Sequence, residues 1–134
     1  MRIVTVIAGL CVAASSFSAA AASPFPPGYD AAYQAFSTAL PAAGKNAAWL
    51  TKLNGVTSQP KKMTVQGKPV VHIFACKNHF CDTDNVNIFL APDRKGFRAV
   101  LKIGGAQTLL GGAAAAEVAC VRKLDAAGGV LDAC

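Results

Sequence analysis

The side chains best suited to chemistry in this chain are two histidines and a set of cysteines, and three of them fall within one short stretch. In ACKNHFCDTD, residues 75–84, Cys76 and Cys81 bracket Lys77, Asn78, His79 and Phe80. His72 lies four residues before the first of these cysteines, and Cys120 and Cys134 follow much later. Thiols and imidazoles so spaced could serve a metal site, a reactive thiol or a disulfide frame. The compartment decides among them.

Residues 1–22, MRIVTVIAGLCVAASSFSAAAA, carry one positive charge at Arg2, an apolar run from Ile3 to Ala14 and small residues ending at Ala22. This pattern reads as a secretory signal peptide cleaved after Ala22, which would remove Cys11. The apolar run is too short to span a bilayer, and no second hydrophobic stretch follows, so no membrane anchor is expected. Ala8, Gly9 and Leu10 before Cys11 do not read as a lipoprotein cleavage box. The remaining residues, 23–134, form one domain with four cysteines. An even number in an exported chain argues for two disulfides. Four cysteines allow three pairings; proximity favours Cys76 with Cys81 and Cys120 with Cys134, the second less firmly. A metal site drawing His72 and His79 alongside Cys76 and Cys81 matches none of the usual zinc spacings. Neither metal nor cofactor is expected.

Thirteen Lys and Arg stand against seven Asp and Glu. Only Arg2 leaves with the signal, so the domain keeps twelve against seven, a net charge near +5. Export argues against a nucleic-acid partner. Lys45, Lys52, Lys61, Lys62, Lys68, Lys77 and Lys102 are scattered without a dense run, which fits a solvated surface, or a general attraction to anionic envelope material. Enzymatic machinery is missing from the pattern: there is no serine in a nucleophile elbow, no glycine-rich phosphate loop, no HExxH and few carboxylates to pair.

The elements that must position the cysteine-bracketed stretch can be read from periodicity. Tyr29, Tyr33, Phe36 and Leu40 recur at helical spacing until Pro41 stops the run. A second short helix is expected from about Asn46 to Leu53, anchored by Trp49 and ended by Asn54 and Gly55. From Met63 the period becomes alternating. KMTVQGKPVVHIFAC predicts a hairpin turning at Gln66, Gly67 and Lys68, NVNIFLA a further strand, PDRKG a turn, and FRAVLKI a strand closed by Gly104 and Gly105. Residues 113–129 hold good helix formers ending in Arg122 and Lys123 before Gly128 and Gly129. The order predicts an α+β fold, an antiparallel sheet of four to five strands with helices packed on one face.

This layout makes residues 76–84 a loop at one edge of the sheet. A disulfide across so small a ring adds only about 2 kcal/mol of global stability. Its larger effect is local: a braced loop loses less entropy on meeting a partner. One reading is a rigid finger presenting the His79 imidazole, a donor and an acceptor, to a pair of carboxylates in a cleft. The other is a plain hairpin tip without a role. His72, inside a strand, reads as a satisfied histidine, and Asp82 and Asp84 as turn formers.

The tryptophan helix, VQGKPVVHIFACKNHFC and the following VNIFLAPD…GFRAVL together resemble the Ivy family, envelope proteins that inhibit vertebrate lysozyme. The resemblance runs from Ala48 to about Ile103. The family signature is a disulfide-closed loop of the form Cys-Lys-Pro-His-Asp-Cys, standing here as Cys76, Lys77, Asn78, His79, Phe80, Cys81. It implies a periplasmic protein whose sheet, backed by helices, projects this loop into the cleft of a c-type lysozyme or a bacterial lytic transglycosylase. There the histidine, matched by His79, would bond the catalytic acid and its partner carboxylate, with Lys77, Asn78 and Phe80 as neighbouring contacts. Asn78 replaces a proline that would stiffen the loop, and Phe80 replaces an aspartate with an apolar surface. Relatives in that family can form homodimers, and some do not block lysozyme. A non-inhibitory envelope protein of the same fold, binding anionic wall material, is the alternative expectation.

Overall fold

The structure, a computed structural model, describes residues 23–134. The expected signal peptide, residues 1–22, lies outside the described residues.

The alternating apolar segments form one antiparallel sheet built around β3 (Lys68–Cys76). One edge of β3 pairs with β2 (Lys61–Val65) over residues 68–72 and then with the two-residue β1 (Val56–Thr57) at Ala75 and Cys76. Its other edge pairs with β4 (Asn85–Leu90), which is followed outward by β5 (Phe97–Ile103) and β6 (Ala106–Leu110). Six strands thus occupy five positions, because β1 and β2 lie end to end. The β2–β3 turn is Gln66 and Gly67, with φ of 50° and 74°, so Lys68 already belongs to the strand. The β5–β6 turn is Gly104 and Gly105, with φ of 56° and 83°. Two successive positive φ values are the mirror-image turn whose twist matches that of paired strands, and glycine enters it without steric cost. FRAVLKI ends at its glycines, as expected, but the chain does not leave the sheet there. It turns on them, and AQTLL, unassigned from sequence, becomes β6.

Because side chains alternate along a strand, each inner strand supplies both faces of the sheet. On one face Ile73, Ala75, Val86, Ile88, Leu90, Ala99 and Leu101 meet α1 (Asp30–Ala39) through Phe36 and α3 (Ala48–Thr51) through Leu50, with α2 (Ala42–Lys45) set against α3. Tyr33 fastens α1 to α3 by donating its hydroxyl to the Thr51 carbonyl at 2.8 Å. Trp49 packs, partly buried, against the same core. Of the expected helix from Asn46 to Leu53 the structure keeps one turn, α3, and a further turn, α2, precedes it.

The fold is α+β, with one correction: the helices do not share a face. α4 (Ala115–Ala126) covers the opposite side, where Cys120 and Leu124 pack on Met63, Val65 and Phe89. The alternation of β4 requires this. Asn87 and Phe89 are as buried as Val86 and Ile88, so both faces of that strand must be covered.

Candidate functional site

The cysteine-bracketed segment is the β3–β4 connection. Cys76, fully buried, is the last residue of β3, and its disulfide to Cys81 closes the loop five residues on. Inside the ring, Lys77 to Phe80 make a β-turn in which the Phe80 N–H donates to the Lys77 carbonyl at 2.9 Å. His79 takes the third position of this turn with φ 69°. Left-handed backbone costs an L-residue on the order of 1–2 kcal/mol, a strain that favours glycine or asparagine there. The histidine is held in that conformation by the ring and turn on either side. In such turns proline favours the second position, which here is Asn78.

Below the tip the chain is tied several times. The Lys77 N–H donates to the Asp84 carbonyl at 3.0 Å, and the Thr83 and Asp84 N–H groups donate to the Phe80 carbonyl at 3.1 and 2.8 Å. The Asn85 side-chain amide donates to the Cys81 carbonyl at 2.7 Å. Two further bonds join the loop to the neighbouring hairpin: Gly104 N–H to the Asp84 carboxylate at 3.2 Å, and Gly105 N–H to the Thr83 carbonyl at 3.0 Å. Asp84 therefore closes its own loop through its backbone and holds a different hairpin through its carboxylate. On the other flank Gly55 passes directly against the Cys76 carbonyl, where any Cβ would collide. Neither the Asp84 clamp nor the Gly55 contact was read from sequence. The adjacent Gly104–Gly105 pair was the available signal for the first.

Lys77, Asn78, His79 and Phe80 are all exposed. Phe80 is 48 % exposed, with the Lys77 ammonium 4.8 Å from its ring centroid. Such an exposed cation–π contact contributes about 0.5–1 kcal/mol. The tip thus carries one imidazole, one ammonium and one apolar ring on a short, cross-linked base. That combination suits insertion into a cleft with acidic groups at its bottom and apolar walls.

His72 is separate in every respect. It is buried on the sheet beneath α4, its Nε2 lies 2.9 Å from the Asn87 side-chain oxygen, and its ring lies 5.1 Å from that of Phe89. Burial pushes its pKa below the ordinary histidine value; the Asn87 bond acts against that and the charge of Lys61 with it. The structure thus separates the two histidines and consumes Cys76 and Cys81 in a disulfide. Among the described residues no three His, Cys, Asp or Glu side chains gather as a metal site.

The second disulfide, Cys120–Cys134, ties α4 to the C-terminal segment. That segment lies along β2: the Thr64 N–H donates to the Asp132 carbonyl at 3.0 Å, the Cys134 N–H to the Thr64 carbonyl at 2.8 Å, and Lys61 pairs with Asp132. No family model matches the chain, and no curated protein matches it. Among the described residues no helix is long and apolar enough to cross a membrane.

Proposed function

We propose that this chain is an Ivy-like inhibitor of peptidoglycan-cleaving muramidases, a c-type lysozyme or a bacterial lytic transglycosylase, acting by insertion of the 76–81 loop into the enzyme's cleft. One observation carries the reading: an exposed histidine stands at the left-handed position of a turn that a disulfide and the neighbouring hairpin hold in place. His79 is the residue that meets the catalytic carboxylates, as an imidazole donor to one and, when protonated, to both. Lys77 adds a charge of the right sign, and Phe80 an apolar contact. Two disulfides fit an oxidising compartment such as the periplasm. Blocking the cleft requires no turnover, so the protein is not an enzyme on this reading.

Titration of muramidase activity with the purified domain, residues 23–134, tests it. His79→Ala should weaken inhibition by at least about 2 kcal/mol, the scale of a central interface residue. Inhibition undiminished by this change would sink the insertion mechanism. The basic surface supports a second reading, adsorption to anionic wall material. That binding should fall steeply with salt and ignore His79.

A further inference from the structure

At the end of the sheet opposite the finger, a cleft of about 340 Å³ opens between the β2–β3 turn, the β4–β5 turn and the start of α4. Lys68 and Cys76 stand eight residue steps apart, at the two ends of β3. At the rise of an extended strand this places the cleft roughly 25 Å from the finger. Its walls are apolar, with Val65, Val70, Phe89 and Phe97 among them. Its polar groups are few: Lys68, Gln66, Arg98 and Glu117.

The charges of these groups do not cancel. Glu117 is 4 % exposed; one carboxylate oxygen accepts the Ala114 N–H at 2.8 Å and the other accepts from the Arg98 guanidinium at 2.9 Å. Burial pushes this carboxyl up, but the Ala114 and Arg98 bonds more than offset it, so the group is a carboxylate. Arg98 spends one nitrogen on it and stays about half exposed, with donors to spare. Lys68 is exposed, and among the described residues it has no carboxylate within ion-pair distance. The cleft is therefore an apolar hollow whose lining carries one cation in excess. A few polar groups around an apolar concavity of this size is the usual make-up of a small-molecule site.

We propose that this cleft binds a small amphipathic organic anion, its apolar body against Val70, Phe89 and Phe97 and its anionic head on Lys68 and the unspent donors of Arg98. A cationic ligand would face uncompensated Lys68, and a fully polar one would desolvate without return.

Anilinonaphthalene sulfonate, an aromatic monoanion that brightens in apolar surroundings, is the probe. Titrated into the oxidised, folded domain it should give one saturable site, displaced by decanoate. Lys68→Gln should weaken binding about tenfold, the worth of one charge-assisted hydrogen bond. Val70→Trp fills the cleft from the sheet and Ala91→Phe from the β4–β5 turn. Whichever of them keeps the cooperative urea unfolding transition of the parent should abolish the site. Absence of saturable binding, or binding unchanged by Lys68→Gln or by a folded filling variant, overturns the proposal. Muramidase inhibition should be the same in all these variants, since the finger is at the far end.

Discussion

The two histidines of this chain differ in what surrounds them, and for the buried one that difference has a consequence in pH. His72 is held neutral by burial, with Asn87 bonded to its Nε2 and Phe89 alongside. Its folded pKa lies below the ordinary value of 6.5 that it regains on unfolding. Between the two values the unfolded chain binds more protons than the native one, so stability rises with pH across that window. The contribution of His72 is complete above about 6.5 and is lost as pH falls through the folded value. Thermal melts between about pH 7.5 and 4.5 should show this slope, and His72→Gln, whose amide can still reach Asn87, should flatten it. A variant with the parental slope would assign the acid sensitivity elsewhere. That His72 is satisfied was legible from its place in an apolar strand, but its partner was not. Asn87 is reached only because β3 and β4 pair in the register that sets Phe74 against Asn87.

Among the elements, the α1–α3 layer and α4 depend on different sources of stability. The first buries Phe36 and Leu50 among many sheet residues, at about 1.5–3 kcal/mol for each large apolar side chain. α4 buries only Cys120 and Leu124 as apolar anchors, so its disulfide is comparable in weight to its whole apolar contribution. Cys120 and Cys134 close a longer ring than Cys76 and Cys81, with separations of 14 and 5. Replacing both members of the longer pair by Ala should cost about 3 kcal/mol, and of the shorter pair about 2. The longer replacement also frees the tail that lies along β2. Urea denaturation of the two double variants checks the order; the finger pair proving the costlier would contradict it. The finger variant should nevertheless be the one that loses inhibition. An alanine-rich helix shows little contrast between its faces, which is why α4 could be read as a helix while its side of the sheet could not. β6 escaped for a different reason: a glycine pair ends a strand or reverses it, and only the ladder with β5 distinguishes these.

At the scale of the whole molecule the decisive quantity is charge. Residues 23–134 carry about five more positive than negative groups, and the finger itself bears Lys77. On the proposed mechanism, approach to a basic lysozyme would be opposed by the net field, while the contact made after insertion would pair His79 and Lys77 with carboxylates at short range. The two effects act on different steps. Long-range repulsion sets the association rate and is screened over about 8 Å at physiological salt; the desolvated contact sets the dissociation rate and is screened much less. Raising salt from about 50 to about 300 mM should accordingly speed association with a basic lysozyme and leave dissociation nearly unchanged, whereas His79→Ala should speed dissociation and leave association nearly unchanged. Stopped-flow or surface-plasmon measurements separate the two constants. Association that slows with salt would mean that the chain meets its partner through net attraction. Combined with indifference to His79, that result would point to an anionic wall polymer, because such a polymer recognises the surface as a whole and has no use for the finger.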